Sequence, residues 1–124
     1  MTSHRQDRIA VEIQRILSNI VQNEMKDPRI NSGKVSISRV EASPDVSFAR
    51  VYFSLLGSEE ERQEAFRILG KAKGFLRSEL AHRLQVRHVP ELDFRIDTAI
   101  EHGVKMAALL TKLEQKELQS ENEE

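Results

Sequence analysis

A ten-residue segment that begins at Ile68 reads ILGKAKGFLR and combines residue types that could bind phosphate. Each interior glycine costs a helix about 1 kcal/mol relative to alanine, so two glycines within a helical pattern favour a bend. Where a new helix starts after the bend, the N–H groups of residues 72–75 should point outward at its positive end, which attracts phosphate. The predicted phosphate contacts are Lys71, Ala72, Lys73 and Gly74, with Arg77 one turn further on.

Basic residues surround this segment. Residues 62–88 contain seven Lys or Arg against two Glu, although the whole chain has a net charge of −1. Because clustered cations attract polyanions, the predicted nucleic-acid surface also includes Arg67, Arg83, Arg87, Arg5, Arg8, Arg29 and Lys34. An alternative stays open, in which the glycines only allow tight helix packing and the cations form a solvated face.

The other candidate sites are weaker. The chain has no cysteine, which excludes disulfides and cysteine-based zinc sites. Its histidines lack carboxylates at metal-ligand spacing, so we predict no metal and no cofactor. Asp93 and Asp97 share a strand face about 13 Å apart, too far to act as acid and base at one bond. The sequence therefore predicts a protein that is not an enzyme.

Length and composition define the class of protein. A chain of 124 residues with 39% hydrophobic and 31% charged residues is typical of one globular domain. No apolar run is long enough for a membrane span, and the first ten residues do not resemble a signal peptide. We expect a cytoplasmic monomer that does not contact membranes.

Hydrophobic periodicity predicts the elements that position the cations. Isoleucines and a leucine between Ile9 and Ile20 recur at helical spacing, which predicts a first helix over about 5–25. Alternating patterns then predict a strand from Val35, a turn at Ser43, Pro44 and Asp45, and a second strand over 46–55. These two strands should form a hairpin.

The second half of the chain should contain a bent helix pair, a strand and a last helix. Ser58 and Glu61 fit a capping box for the helix pair, and Leu92, Phe94 and Ile96 alternate with polar residues as a third strand. Because crossovers are right-handed, the third strand should lie parallel to a central second strand. We predict an α+β domain over 1–113, with a last helix over about 98–112 and a disordered polar tail over 114–124.

Several pieces of the sequence together resemble the ribosome-binding factor A family. The pieces are the first helix ending in Asp27-Pro28-Arg29, the strand pair around VEASPD (40–45) and ARVYFS (49–54), AKGFLRSEL (72–80) and VPELDF (89–94). The resemblance covers about residues 5–113. It implies a KH-like fold of the helix-strand-strand-helix-helix-strand order, in which Ala72-Lys73-Gly74 replaces the GXXG loop of ordinary KH domains.

The resemblance also implies a function. Members of this family bind the 30S ribosomal subunit and its 16S rRNA late in assembly, assist 5′-end processing and act in the cold, without being nucleases. The partners implied are the 30S subunit and 16S rRNA, with ribosomal proteins and other assembly factors as further candidates. The alternative is a protein-interaction module that docks a partner through its last helix or open sheet and makes no RNA contact.

Overall fold

The computed structural model of this chain describes residues 3–99 and 106–115. Helix α1 spans Ser3–Asn19 and continues into a π-helical turn over Ile20–Glu24. Its apolar stripe includes Ile13, Leu17 and Ile20, all of them buried, as expected for residues that recur on one helical face. The first predicted helix is therefore confirmed, and its last turn is wider than an α-helix.

A short helix that the sequence did not predict follows the π-helical turn. Helix α2 spans Pro28–Asn31, and the Asp27 carboxylate caps it by accepting the Arg29 N–H at 2.9 Å. Proline suits the first helical position because its missing N–H would have had no partner there. The predicted stop before Pro28 is confirmed, and the same proline begins a new helix.

The predicted hairpin is present. Strands β1 (Val35–Ala42) and β2 (Phe48–Leu55) pair antiparallel, with a register irregularity between Ile37 and Arg39. In the turn between them the Asp45 carboxylate accepts hydrogen bonds from Ser47 and Ser43, and these bonds hold the pKa of Asp45 below its usual value. The turn is tight enough that Val46 adopts φ +57°.

Two helices and the third strand complete the domain. Helix α3 spans Glu59–Lys71 behind a Ser58–Glu61 capping box, α4 spans Lys73–Arg83, and β3 spans Glu91–Ile96. Strand β3 pairs parallel with β2, so the sheet order is β1-β2-β3 with β2 in the centre. The capping box, the parallel pairing and the central position of β2 were all predicted.

One hydrophobic core lies between the sheet and the helices. Phe53 of β2 is fully buried and meets Phe94 of β3 edge to face, with 4.9 Å between the ring centroids. Leu69, Leu76 and Leu80 close the core from α3 and α4. The three-stranded mixed sheet and its helices confirm the predicted α+β class and its helix-strand-strand-helix-helix-strand order.

The structure describes only part of the predicted last helix and none of the tail beyond residue 115. Residues 106–115 form a helix, here α5, whose side chains are all exposed. Residues 100–105 and 116–124 lie outside the described residues, so the start of the last helix and the polar tail stay predictions. Within 3–99 and 106–115, every helix is too short or too polar to cross a membrane.

Candidate nucleic-acid interface

The bend predicted in the middle of the basic segment exists. Helix α3 ends at Lys71, α4 begins at Lys73, and Ala72 between them has φ −86° and ψ 1°, outside helical geometry. No side chain caps the start of α4. The first N–H groups of a helix have no partner within it, so the N–H groups at the start of α4 can donate to a hydrogen-bond acceptor of another molecule.

One of the predicted outward amides is not available. The Ala72 N–H donates to the carbonyls of Ile68 at 3.0 Å and Leu69 at 3.1 Å, which completes the last turn of α3. The Ala72 carbonyl in turn accepts from the Leu76 N–H at 2.9 Å, so the two helices share this residue. The prediction that the Ala72 amide points outward is therefore wrong, because the residue closes one helix while it opens the next.

The two glycines are not required by packing. A methyl group added at Gly70 or at Gly74 would meet no atom within 4 Å apart from its chain neighbours and the backbone of its own helix. The alternative left open by the sequence, in which glycine allows two helices to pack tightly, does not fit this open space. The glycines instead leave bare backbone facing solvent on both sides of Ala72.

The two lysines beside the bend are exposed and available. Neither Lys71 nor Lys73 forms an ion pair with a described residue. Lys71 contributes only a weak electrostatic effect to Glu64, and the Lys73 ammonium lies 5.6 Å from the centre of the Phe94 ring. We call Lys71, Ala72, Lys73 and Gly74 the bend site.

Other predicted cations have carboxylate partners. Arg67 and Arg29 both contact Glu64, at 2.5 and 2.7 Å, and the hydrogen bond from Arg67 is the main reason that the pKa of Glu64 is lowered. Lys34 contacts Glu61 at 2.8 Å. Since these cations are already neutralised, they contribute less to the attraction of a polyanion than the bend site does.

Arg77 and Arg83 are tied to the fold in a similar way. Arg77 donates to the carbonyl oxygens of Val89 at 3.0 Å and Pro90 at 3.2 Å, which fastens α4 to the chain entering β3. Arg83 donates to the Glu24 carboxylate at 2.6 Å, and this hydrogen bond raises the pKa of the arginine. Both side chains position helices, a role that their sequence context did not reveal.

A second group of available cations lies at the start of α1. Arg5 and Arg8 line one cleft together with Arg87, which follows α4 in the chain, and the cleft has a volume of about 750 Å³. All three arginines are exposed, and none forms an ion pair with a described residue. Ile9, Gln85 and Val86 complete the lining of this arginine cleft.

Helix α4 connects the bend site to the arginine cleft. Lys73 is its first residue, and Arg87 lies four residues beyond its last residue, Arg83. A helix of 11 residues is about 16 Å long. The two cationic groups are therefore at opposite ends of one rigid element, and a single phosphate cannot contact both.

The described residues contain no group of three metal-ligating side chains. On the open face of the sheet, the Arg39 guanidinium covers the Tyr52 ring at 4.0 Å, so that ring face cannot stack on a base. Arg50 bonds the Asp93 carboxylate at 3.2 Å and is likewise occupied.

The sheet, its helices and these two cationic groups define a small KH-like α+β domain with exposed cations on its helices. Residues 5–110 match the family model described as ribosome-binding factor A. A relative called ribosome-binding factor A, from Syntrophomonas wolfei, is 51% identical over 115 residues, which cover 93% of this chain and 94% of that one. The chain belongs to the ribosome-binding factor A family.

Solved structures agree with this assignment. The crystal structure of ribosome-binding factor A from Thermus thermophilus is 29% identical with a TM-score of 0.64, covering 76% of this chain and 97% of that chain. A homology model of the Thermus thermophilus factor, fitted into a cryo-EM map of its complex with the 30S subunit, is 30% identical with a TM-score of 0.59 and covers 72% and 91%.

Proposed function

We propose that this protein binds the 30S ribosomal subunit by contacting 16S rRNA with the bend site and the arginine cleft. The observation that carries the proposal is that, among the described residues, half of the predicted RNA-contacting cations are paired within the fold and the other half are not. Five predicted cations are paired within the fold, whereas Lys71, Lys73, Arg5, Arg8 and Arg87 are exposed without an ion pair to a described residue.

The arrangement favours recognition of RNA shape. The described surface provides cations at two ends of α4 and open backbone at Gly74, and one face of Tyr52 is covered by Arg39. Phosphate contacts fix position and orientation but carry no base information. Structured rRNA, with phosphates held at fixed separations, is the ligand that such a surface can select.

Family membership supports the further parts of the proposal. The Thermus thermophilus relative is described in a complex with the 30S subunit. We propose that the present chain acts without enzymatic activity in the cytoplasm, late in subunit assembly. There it would assist maturation of the 16S rRNA 5′ end, with its greatest effect in the cold, when misfolded RNA rearranges slowly.

Salt dependence tests the RNA contact. If all five available cations contact phosphates, the logarithm of the 30S association constant should fall with the logarithm of salt concentration with a slope of about −4. The measurement is a binding titration at several potassium chloride concentrations, with protein-free 16S rRNA in parallel. A slope near zero for both ligands would support the protein-interaction alternative and contradict the proposal.

A glycine substitution separates binding from stability. Because a methyl group at Gly74 would meet open space, Gly74→Ala should stabilise the fold by about 0.5 kcal/mol through loss of unfolded-state entropy. If phosphate approaches the backbone there, the same change should weaken 30S binding several-fold. Urea denaturation and a binding titration measure the two effects.

Gly70→Ala is the matched control for this substitution. The methyl group is equally unhindered, but Gly70 lies in α3, before the bend. It should stabilise the fold by a similar amount and leave 30S affinity within about twofold. Equal affinities for the two variants would show that the ligand does not contact the backbone at Gly74.

A further inference from the structure

A second cleft, separate from the bend site and the arginine cleft, lies between α2 and the first turns of α3. It has a volume of about 460 Å³, and its apolar surface comes from Pro28, Val35, Leu56 and Ala65. Leu56 is 54% exposed, so its side chain is accessible to a partner molecule. The cleft is large enough to take one bulky apolar side chain from another molecule.

Leu56 is held at the edge of this cleft by the backbone. Its N–H donates to the Lys34 carbonyl at 2.9 Å, which extends the β1–β2 pairing by one step. The next residue, Gly57, has φ +112°, and a methyl group there would lie 3.1 Å from a Glu61 oxygen. Leu56 is therefore fixed in place between the end of β2 and the capping box of α3.

The charges on the rim decide what kind of partner fits. Arg29 pairs with Glu64 at 2.7 Å and with Asp27 at 2.9 Å, and Arg67 also pairs with Glu64. Lys34 pairs with Glu61 at 2.8 Å, so these three cations balance three carboxylates. Glu60 also lines the cleft, and it makes no ion pair with a described residue. The negative charge of Glu60 therefore stays uncompensated beside an apolar floor, and it favours a partner that carries a cation.

We propose that this cleft docks a basic segment of a small-subunit ribosomal protein. One bulky apolar side chain of that segment would fill the space beside Leu56, while an adjacent Lys or Arg would pair with Glu60. Electrostatic complementarity of this kind orients a partner and excludes the wrong ones. The choice of a ribosomal protein as the source rests on the proposed function, whereas the preference for a basic apolar segment rests on the cleft alone.

Two synthetic peptides probe the chemistry directly. Each has a Leu-Phe centre, flanked by Lys in one peptide and by Glu in the other. Added to the isotope-labelled full chain, the Lys peptide should shift the NMR signals of Leu56, Glu60 and Ala65, and the Glu peptide should not. Leu56→Ser should weaken binding of the Lys peptide about tenfold, and Glu60→Lys should reverse the preference between the peptides.

The result on the ribosome separates this inference from the proposed function. Leu56→Ser should weaken 30S binding about fivefold and leave the affinity for protein-free 16S rRNA unchanged, because the cleft does not contact RNA. Equal binding of the two peptides, or no shift at the cleft, would overturn the proposal. Shifts in residues 106–115 caused by Leu56→Ser would also overturn it, because they would show that the chain's own α5 occupies the cleft.

Discussion

Replacing Lys71 and Lys73 together by Glu should weaken binding to the 30S subunit about hundredfold and leave the melting temperature unchanged. Both side chains are exposed and form no ion pair with a described residue, so their loss costs the fold little. Each change removes a phosphate contact and adds a repulsive charge, which is expected to cost on the order of tenfold in affinity. Binding titration and thermal denaturation of the same preparations measure both quantities.

A double charge reversal elsewhere is the control. Lys26 and Lys112 are exposed lysines away from the bend, and Lys26→Glu with Lys112→Glu gives the same change in net charge. The control should lose only a few-fold in affinity, through the general field of the protein. If both double variants bind equally weakly, total charge rather than the bend site determines the affinity.

Replacing Arg77 by Glu should lower the free energy of unfolding by about 2–3 kcal/mol. The Arg77 side chain donates to the carbonyls of Val89 and Pro90 and lies 3.2 Å from a Glu91 oxygen. A carboxylate at position 77 would remove both hydrogen bonds. It would also repel the carbonyl oxygens of Val89 and Pro90 and the carboxylate of Glu91. Urea denaturation at neutral pH measures the loss, and 30S binding by the folded protein should fall by no more than the few-fold effect of the changed net charge.

Arg67→Glu is matched to this variant in charge and exposure. The Arg67 side chain is 50% exposed and that of Arg77 is 42% exposed. Among the described residues, Arg67 forms an ion pair with Glu64 alone, three residues earlier in the same helix. Exposed pairs of this kind contribute roughly 0.2–1 kcal/mol, so the stability loss should stay below about 1 kcal/mol. Equal losses at the two positions would show that the Arg77 carbonyl contacts do not stabilise the fold.

Much of the fold could be predicted because its elements have strong local signals. The period of the α1 stripe, the alternation in β2 and the Ser58–Glu61 box each specify one element, and the handedness of crossovers then sets the parallel pairing of β3. Helix α2 was missed because four residues carry no periodicity. The only residues that could have predicted it were Asp27 and Pro28, and the same pair also predicts the end of the preceding helix.

The candidate site was less predictable. The sequence located the bend and the basic residues, but ion pairing depends on which side chains the fold brings together. Arg83 meets Glu24, 59 positions earlier in the chain, and Arg29 meets Glu64, 35 positions later. No local pattern could separate these paired arginines from Arg87 or Arg5. The cleft at Leu56 was missed for the same reason, because its walls come from α2, β1 and α3.

The parallel pairing of β3 with β2 has a consequence for synthesis of the chain. The β1–β2 hairpin precedes β3 in the chain and can form before it, whereas the central strand keeps one open edge until Glu91–Ile96 pairs with it. Since domains tend to fold as units during translation, the core around Phe53 closes only then. Arg87 and the end of α4 acquire their final positions at the same moment. If the proposed function is correct, the surface that contacts RNA would therefore be complete only after β3 has paired with β2.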